Sequence, residues 1–297
     1  MSRQFILSSE STVDLPYSHM AGRDIPIIFY RYTIDGQEYL DDMGRDPEAL
    51  PGFYRMLDAG KLPSTTLNNQ EMYSEFFEEL LQKGDVLHIA FSSGQSASVT
   101  NAIAAAAGLQ KKYPERTIKV VDSTCSSSGF GLFVDYIADL ADEGKSLQEV
   151  YDWAEKNKNR IHHQFYTTDM TQFKRTGRVS GPTATLATIL NICPVMRLDD
   201  KGRIIAYGKV RGKKKAMAET LAQMIKHAEG GTDYAGKCYV CNSDCIEDAK
   251  AMAALVEENF PNLKNNVKIN NIGTIIGSHA GRGTVAVFFM GDERAPE

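Results

Sequence analysis

A chain of 297 residues is long enough for two domains of ordinary size, and its 42% hydrophobic content can bury a substantial core. A formal net charge of −5 with 24% charged residues gives no general attraction to DNA, RNA or anionic lipid. The opening MSRQFILSSE holds too short an apolar run for a secretion signal, and no stretch is long and apolar enough for a membrane span, so a cytoplasmic protein without stable membrane insertion is expected.

In chain order, residues 4–8 form a short strand followed by the polar turn SESTVDLP, and the hydroxyl cluster PSTT at 63–66 precedes a helix over 69–84. A second strand at 85–91 breaks at SSG into an alanine-rich helix over 96–113, closed by Tyr113 and Pro114. RTIKVVD then reads as a strand, STCSSSG as a break, and 130–144 as a helix with apolar residues at helical spacing. Strand, helix, strand, helix implies a parallel sheet whose ligands sit beyond the C-terminal strand ends, where 8–12, 92–96 and 123–128 carry hydroxyls.

The stretch 146–163 reads as a linking helix, which places a boundary near 160 between an N-terminal α/β domain, 1–160, and a C-terminal α+β domain, 161–297. There FKRTGRVS leads into a helix over 181–192, and a hairpin turns at 199–202. A helix over 214–227, a strand at 237–243, a helix at 246–260 and a strand at 284–290 follow. The five cysteines, Cys125, Cys193, Cys238, Cys241 and Cys245, are odd in number and widely spaced, which argues against a disulfide scaffold. CYVCNSDC resembles part of a metal site, but a strand there turns Cys238 and Cys241 to opposite faces; buried structural thiols are expected and no metal is assigned.

No phosphate-loop or dinucleotide fingerprint is present, so no cofactor is assigned, and FSSGQ lacks the flanking glycines of a nucleophile elbow. A helix starting at Ser96 presents free N–H groups, and hydroxyls of Ser92, Ser93 and Thr65 supply donors for a carboxylate; simple capping by Ser96 is the competing reading. In GTIIGSHAGRG, glycines at 277, 281 and 283 let the backbone turn tightly around His279. Arg175 and Arg178 are placed to pair with acidic side chains between domains, while Arg211, Lys213, Lys214 and Lys215 form a compact basic surface or merely a solvated one.

With these residues in view, the chain resembles the DegV family of bacterial fatty-acid-binding proteins over nearly its full length. The resemblance rests on STVDLP, PSTT, SSGQSASVTNA, VVDSTCSSSGFGLFV, FKRTGRVSG, NICPVMRLDDKGRI, KVRGKKKA and IGSHAGRG. It implies a long-chain fatty acid between two domains, with the carboxylate near Thr65, Thr66 and Ser93, His279 beside it, and Ser92, Gly94, Arg178 and Gly277 as supporting loop residues. The acyl chain is then expected in an apolar tunnel mainly within the second part of the fold, for which TATLATILNI and CPVM offer suitable side chains or ordinary core. The resemblance further implies a non-catalytic carrier that presents its acyl chain to a separate ATP-binding fatty acid kinase subunit, docking through Arg211, Lys213 and Lys214. Two departures stand out: the family's TDS is SES at 9–11, and its GPG after the histidine is GRG at 281–283. The alternatives are a hydrolase or transferase using the same hydroxyl cleft, and an unliganded scaffold.

Overall fold

A computed structural model describes residues 3–180 and 191–297; the helix expected over 181–192 lies outside the described residues apart from Asn191 and Ile192. The first layer is a four-stranded parallel sheet in the order Ile27–Ile28, Ile6–Glu10, Val86–Ala90, Ile118–Asp122. Crossover helices cover it, because parallel neighbours need long connections. Helix Ser98–Lys112 is built on alanine, and Gln70–Leu81 begins where the Asn69 side chain accepts the Met72 N–H at 2.9 Å.

The second layer is a seven-stranded mixed sheet in the order Val267–Asn271, Cys238–Asn242, Thr284–Met290, Ile161–Thr167, Ile192–Leu198, Ile204–Arg211, Val179–Ser180. The expected hairpin is present, and its tip is set by the buried Asp199 carboxylate, which accepts the backbone N–H groups of Lys201 (3.0 Å) and Arg203 (2.8 Å). Helix Ser127–Asp142 lies between the layers. It approaches the second sheet so closely that a Cβ at Gly129 would stand 2.4 Å from His163 Nε2, so only glycine fits there. One apolar cluster therefore runs continuously from Leu7 and Phe133 to Val195 and Phe289.

Three sequence expectations are corrected. The linking helix ends at Asn157, and the His162 and His163 assigned to its polar end belong to the wholly buried strand Ile161–Thr167. A central strand covered by helices on both faces need not alternate polar and apolar residues, which removes the usual signature. The segment 273–283, expected as a loop, contains helix Thr274–Ala280. Gly277 accordingly serves packing: its missing Cβ leaves room for Phe53 at 3.0 Å and Tyr54 at 3.1 Å, while Gly281 and Gly283 hold positive φ after the helix. Unforeseen from sequence is a small antiparallel sheet, Gln37–Leu40, Arg31–Ile34, Ser64–Thr66, in which Thr65 pairs with Tyr32.

Candidate functional site

Beyond the C-terminal ends of the first sheet, a cavity of about 850 Å³ of interatomic space, its solvent-open mouth included, separates the two layers. The first layer contributes Phe91, Gln95 and Ser96 from the loop after Val86–Ala90 and Ser126 and Ser127 from the start of the central helix. The second contributes Phe165, Ala286 and Phe288, and helix Thr274–Ala280 adds Ile275, Ile276 and His279. Thr65 and Thr66 line it from the small sheet, and Arg178 from beside the hairpin. Apolar side chains thus share the lining with hydroxyls from the small sheet and the strand-end loops and with the imidazole of helix Thr274–Ala280.

His279 Nε2 lies 3.0 Å from Thr65 Oγ1, while His279 Nδ1 has no protein partner among the described residues. Burial, reinforced by Arg178 and Arg175, pushes this histidine down to about 4, so the ring is neutral at pH 7. Among the described residues Arg175 does not pair with an acid as expected. Its Nη2 donates to the Pro63 carbonyl at 2.8 Å and the Ser278 carbonyl at 3.2 Å, which pins the Thr65 strand to the His279 helix. Arg178 likewise donates to a carbonyl, that of Thr176. Two hydroxyls of lining residues, Thr12 Oγ1 and Thr284 Oγ1, are also buried without a partner among the described residues. Buried polar groups in proteins are nearly always satisfied, so these atoms suit an occupant that carries a polar group.

Ser93, expected at the head group, is exposed and is not among the cavity residues; its backbone N–H is held by Asp122 Oδ1 at 3.1 Å. The lining serine of this loop is Ser96, whose Oγ also accepts the Ser98 N–H at 3.2 Å and whose capping character concealed it in the sequence. Ser92 is buried in a joint between the layers: its Oγ donates to the Gly202 carbonyl at 3.1 Å. Gly94 permits the same joint, since a Cβ there would meet the Lys201 carbonyl oxygen at 2.4 Å. Of the residues missed from sequence, His163 accepts the Ser126 N–H on Nε2 at 3.0 Å, which leaves its Nδ1–H for the Ile161 carbonyl at 3.0 Å. Ser126 and Ser127 lay within the hydroxyl cluster noted at 123–128, so a signal existed.

Both departures from the resembled pattern find a structural role. Glu10 is fully buried behind the loop and accepts from the Phe91 N–H at 2.8 Å, Tyr73 Oη at 2.5 Å and Tyr30 Oη at 3.2 Å. Arg282 joins Asp58 at 2.9 Å and Asp244, with its guanidinium 5.3 Å from the Tyr54 ring centroid. The basic group lies elsewhere. Arg211, Lys213 and Lys214 are exposed, none lines the cavity, and Lys213 is paired with Asp248 at 2.8 Å. Among the described residues no helix is long and apolar enough to cross a membrane.

A family profile described as "Uncharacterised protein, DegV family" matches residues 6–292. The chain belongs to the DegV family. A DegV domain-containing protein of Clostridium perfringens is 35% identical over 296 residues, covering 99% of this chain and 100% of the relative. A Thermus thermophilus DegV family structure, described as fatty acid binding, superposes with a TM-score of 0.84 at 26% identity, covering 97% of this chain and 100% of that one. A Thermotoga maritima protein described as a DegV lipid binding protein shares the fold at a TM-score of 0.82 and 22% identity, covering 99% and 100%. The parallel N-terminal sheet and α+β C-terminal part are thus the DegV architecture.

Proposed function

We propose that this protein binds one long-chain fatty acid in the cavity between its layers; the Thermus thermophilus relative is described as fatty acid binding. The carrying observation is the cavity's polarity. Its walls are mainly apolar and carry the Thr65 hydroxyl and the His279 imidazole 3.0 Å apart, the combination of apolar lining with a few placed polar groups usual for small-molecule sites. Thr65, Thr66, Ser96 and the neutral His279 supply donors for the carboxylate, with Arg178 at the mouth, while Phe165, Phe288, Ile275 and Ile276 contact the tail. Tail burial is worth about 0.8 kcal/mol per methylene, so the chain supplies most of the affinity and the head group fixes orientation.

The protein acts as a carrier that presents this acid to an ATP-dependent kinase subunit, with 1–160 and 161–297 as its two domains. Arg211 and Lys214 offer the docking surface. Arg211 lies seven residues along its strand from Ile204, a cavity residue, hence roughly 20 Å away, so a partner docked there must span that distance to reach the head group. An enzyme using the Thr65–His279 pair would need a group to orient the imidazole through Nδ1, and among the described residues none does. Native mass spectrometry of gently purified protein should show one acyl mass, lost on delipidation and restored by added fatty acid. A chain that stays empty in the presence of fatty acid and turns over esters or phosphoesters would refute the carrier reading.

A further inference from the structure

Across the second sheet from the acyl cavity, three side chains from three backbone elements converge. His162 comes from strand Ile161–Thr167, His227 ends helix Lys213–His227, and Asp292 follows strand Thr284–Met290. Alternation along the strand turns His163 toward the cavity and His162 to the opposite face. Asp292 Oδ1 lies 2.9 Å from His162 Nε2 and 3.1 Å from His227 Nδ1, and all three ligand atoms lie within 4.8 Å of one another.

We infer that His162, His227 and Asp292 form a binding site for a first-row transition dication such as Zn²⁺. Bonds of about 2.0–2.2 Å at a tetrahedral ion place ligand atoms roughly 3.3 Å apart and two imidazole centroids about 5 Å apart. The ring centroids of His162 and His227 are 5.0 Å apart, which matches that spacing. Two imidazoles and one carboxylate are a borderline donor set suited to Zn²⁺ or Co²⁺ rather than Mg²⁺ or Ca²⁺.

The site is held by backbone. Asp292 N–H donates to the His227 carbonyl at 3.1 Å, and Gly291 N–H to the Arg160 carbonyl at 2.8 Å. Gly291 is needed for this approach, because a Cβ there would stand 2.1 Å from the His227 carbonyl oxygen. Of the nearby cations, Arg160 is engaged by Glu229 at 2.8 Å, and Arg294 donates to Thr124 and Asn159. On metal binding the ring protons that face Asp292 move to the opposite nitrogens, and both lone pairs turn to the ion. Asp292 is 59% exposed, which leaves a fourth position open to solvent. The bound ion would tie the C-terminal tail to helix Lys213–His227, a structural role separate from fatty acid binding.

The test uses the untagged full chain, stripped with a chelator and titrated with Co²⁺, then with Zn²⁺ in competition. One equivalent with visible ligand-field absorption of a four- or five-coordinate ion, displaced by Zn²⁺, is expected. His227→Gln and Asp292→Asn, both at the accessible side of the site, should each weaken binding tenfold or more, so the result does not depend on substituting buried His162. A near-ultraviolet thiolate-to-cobalt band would place the ion on a cysteine and overturn the assignment, as would affinities unchanged in both variants or no saturable binding.

Discussion

Replacing Thr65 with valine keeps the side-chain shape and removes one hydroxyl from the cavity wall, at the proposed head-group position. Thr65 Oγ1 and His279 Nε2 are 3.0 Å apart, and the ring is neutral because burial holds it near 4. A neutral ring has one N–H. If Nε2 carries it, His279 donates to Thr65 and the threonine proton is free for a carboxylate; the opposite tautomer would consume that proton. Head-group binding therefore selects the Nε2–H form, with His279 orienting the Thr65 hydroxyl. A hydrogen bond to a charged group is worth about 1.5–3 kcal/mol, so Thr65→Val should raise the fatty acid Kd by roughly 10- to 150-fold. Thr66, which is exposed, should show a smaller effect as Thr66→Val. The assay is calorimetric titration of delipidated protein, with thermal unfolding as the control. A Kd within twofold of wild type, at unchanged stability, would refute the head-group placement.

The other expectations concern the loop, the histidine and the partner. Ser96→Ala should weaken fatty acid binding severalfold whereas Ser93→Ala should leave it unchanged, since only Ser96 lines the cavity; the reverse order in a displacement titration would restore Ser93 to the site. Gly94→Ala forces a Cβ toward the Lys201 carbonyl at 2.4 Å and should cost about 1–3 kcal/mol in denaturant unfolding; a loss below about 0.5 kcal/mol would mean the joint is loose. For His279 the folded value, about 4, lies below the ordinary 6.5, so its contribution to stability is complete above 6.5 and is lost as pH falls toward 4. His279→Gln should flatten that part of the pH–stability curve. Asp41 acts with the opposite sign, raised from 3.8 to about 6 chiefly by burial, so its contribution is present below 3.8 and lost as pH rises through 6; it is common to both proteins and cancels in the comparison. Arg211→Glu should retain its lipid while losing association with the kinase subunit, measured by titration at low and moderate salt.

Local chemistry made much of this protein readable from its sequence. The strands at 6–10, 86–90 and 118–122, the alanine-rich helix, the hairpin and the hydroxyl clusters at strand ends all follow from residues close together in the chain. So do the DegV motifs, which single out Thr65 and His279 as candidates. Tertiary structure decided the rest, because proximity across the chain is not written in spacing. His279 meets Thr65 from 214 positions away, and Arg175 holds their elements together through two carbonyls that no sequence pattern marks. The path of the loop puts Ser96, read as a cap, on the cavity wall and leaves Ser93 exposed. His162 and His163, adjacent and chemically identical, face opposite sides of a buried strand, one meeting His227 and Asp292 and the other lining the cavity. A strand's two faces differ only in what packs against them, and that is fixed by the assembled sheet rather than by the residues themselves.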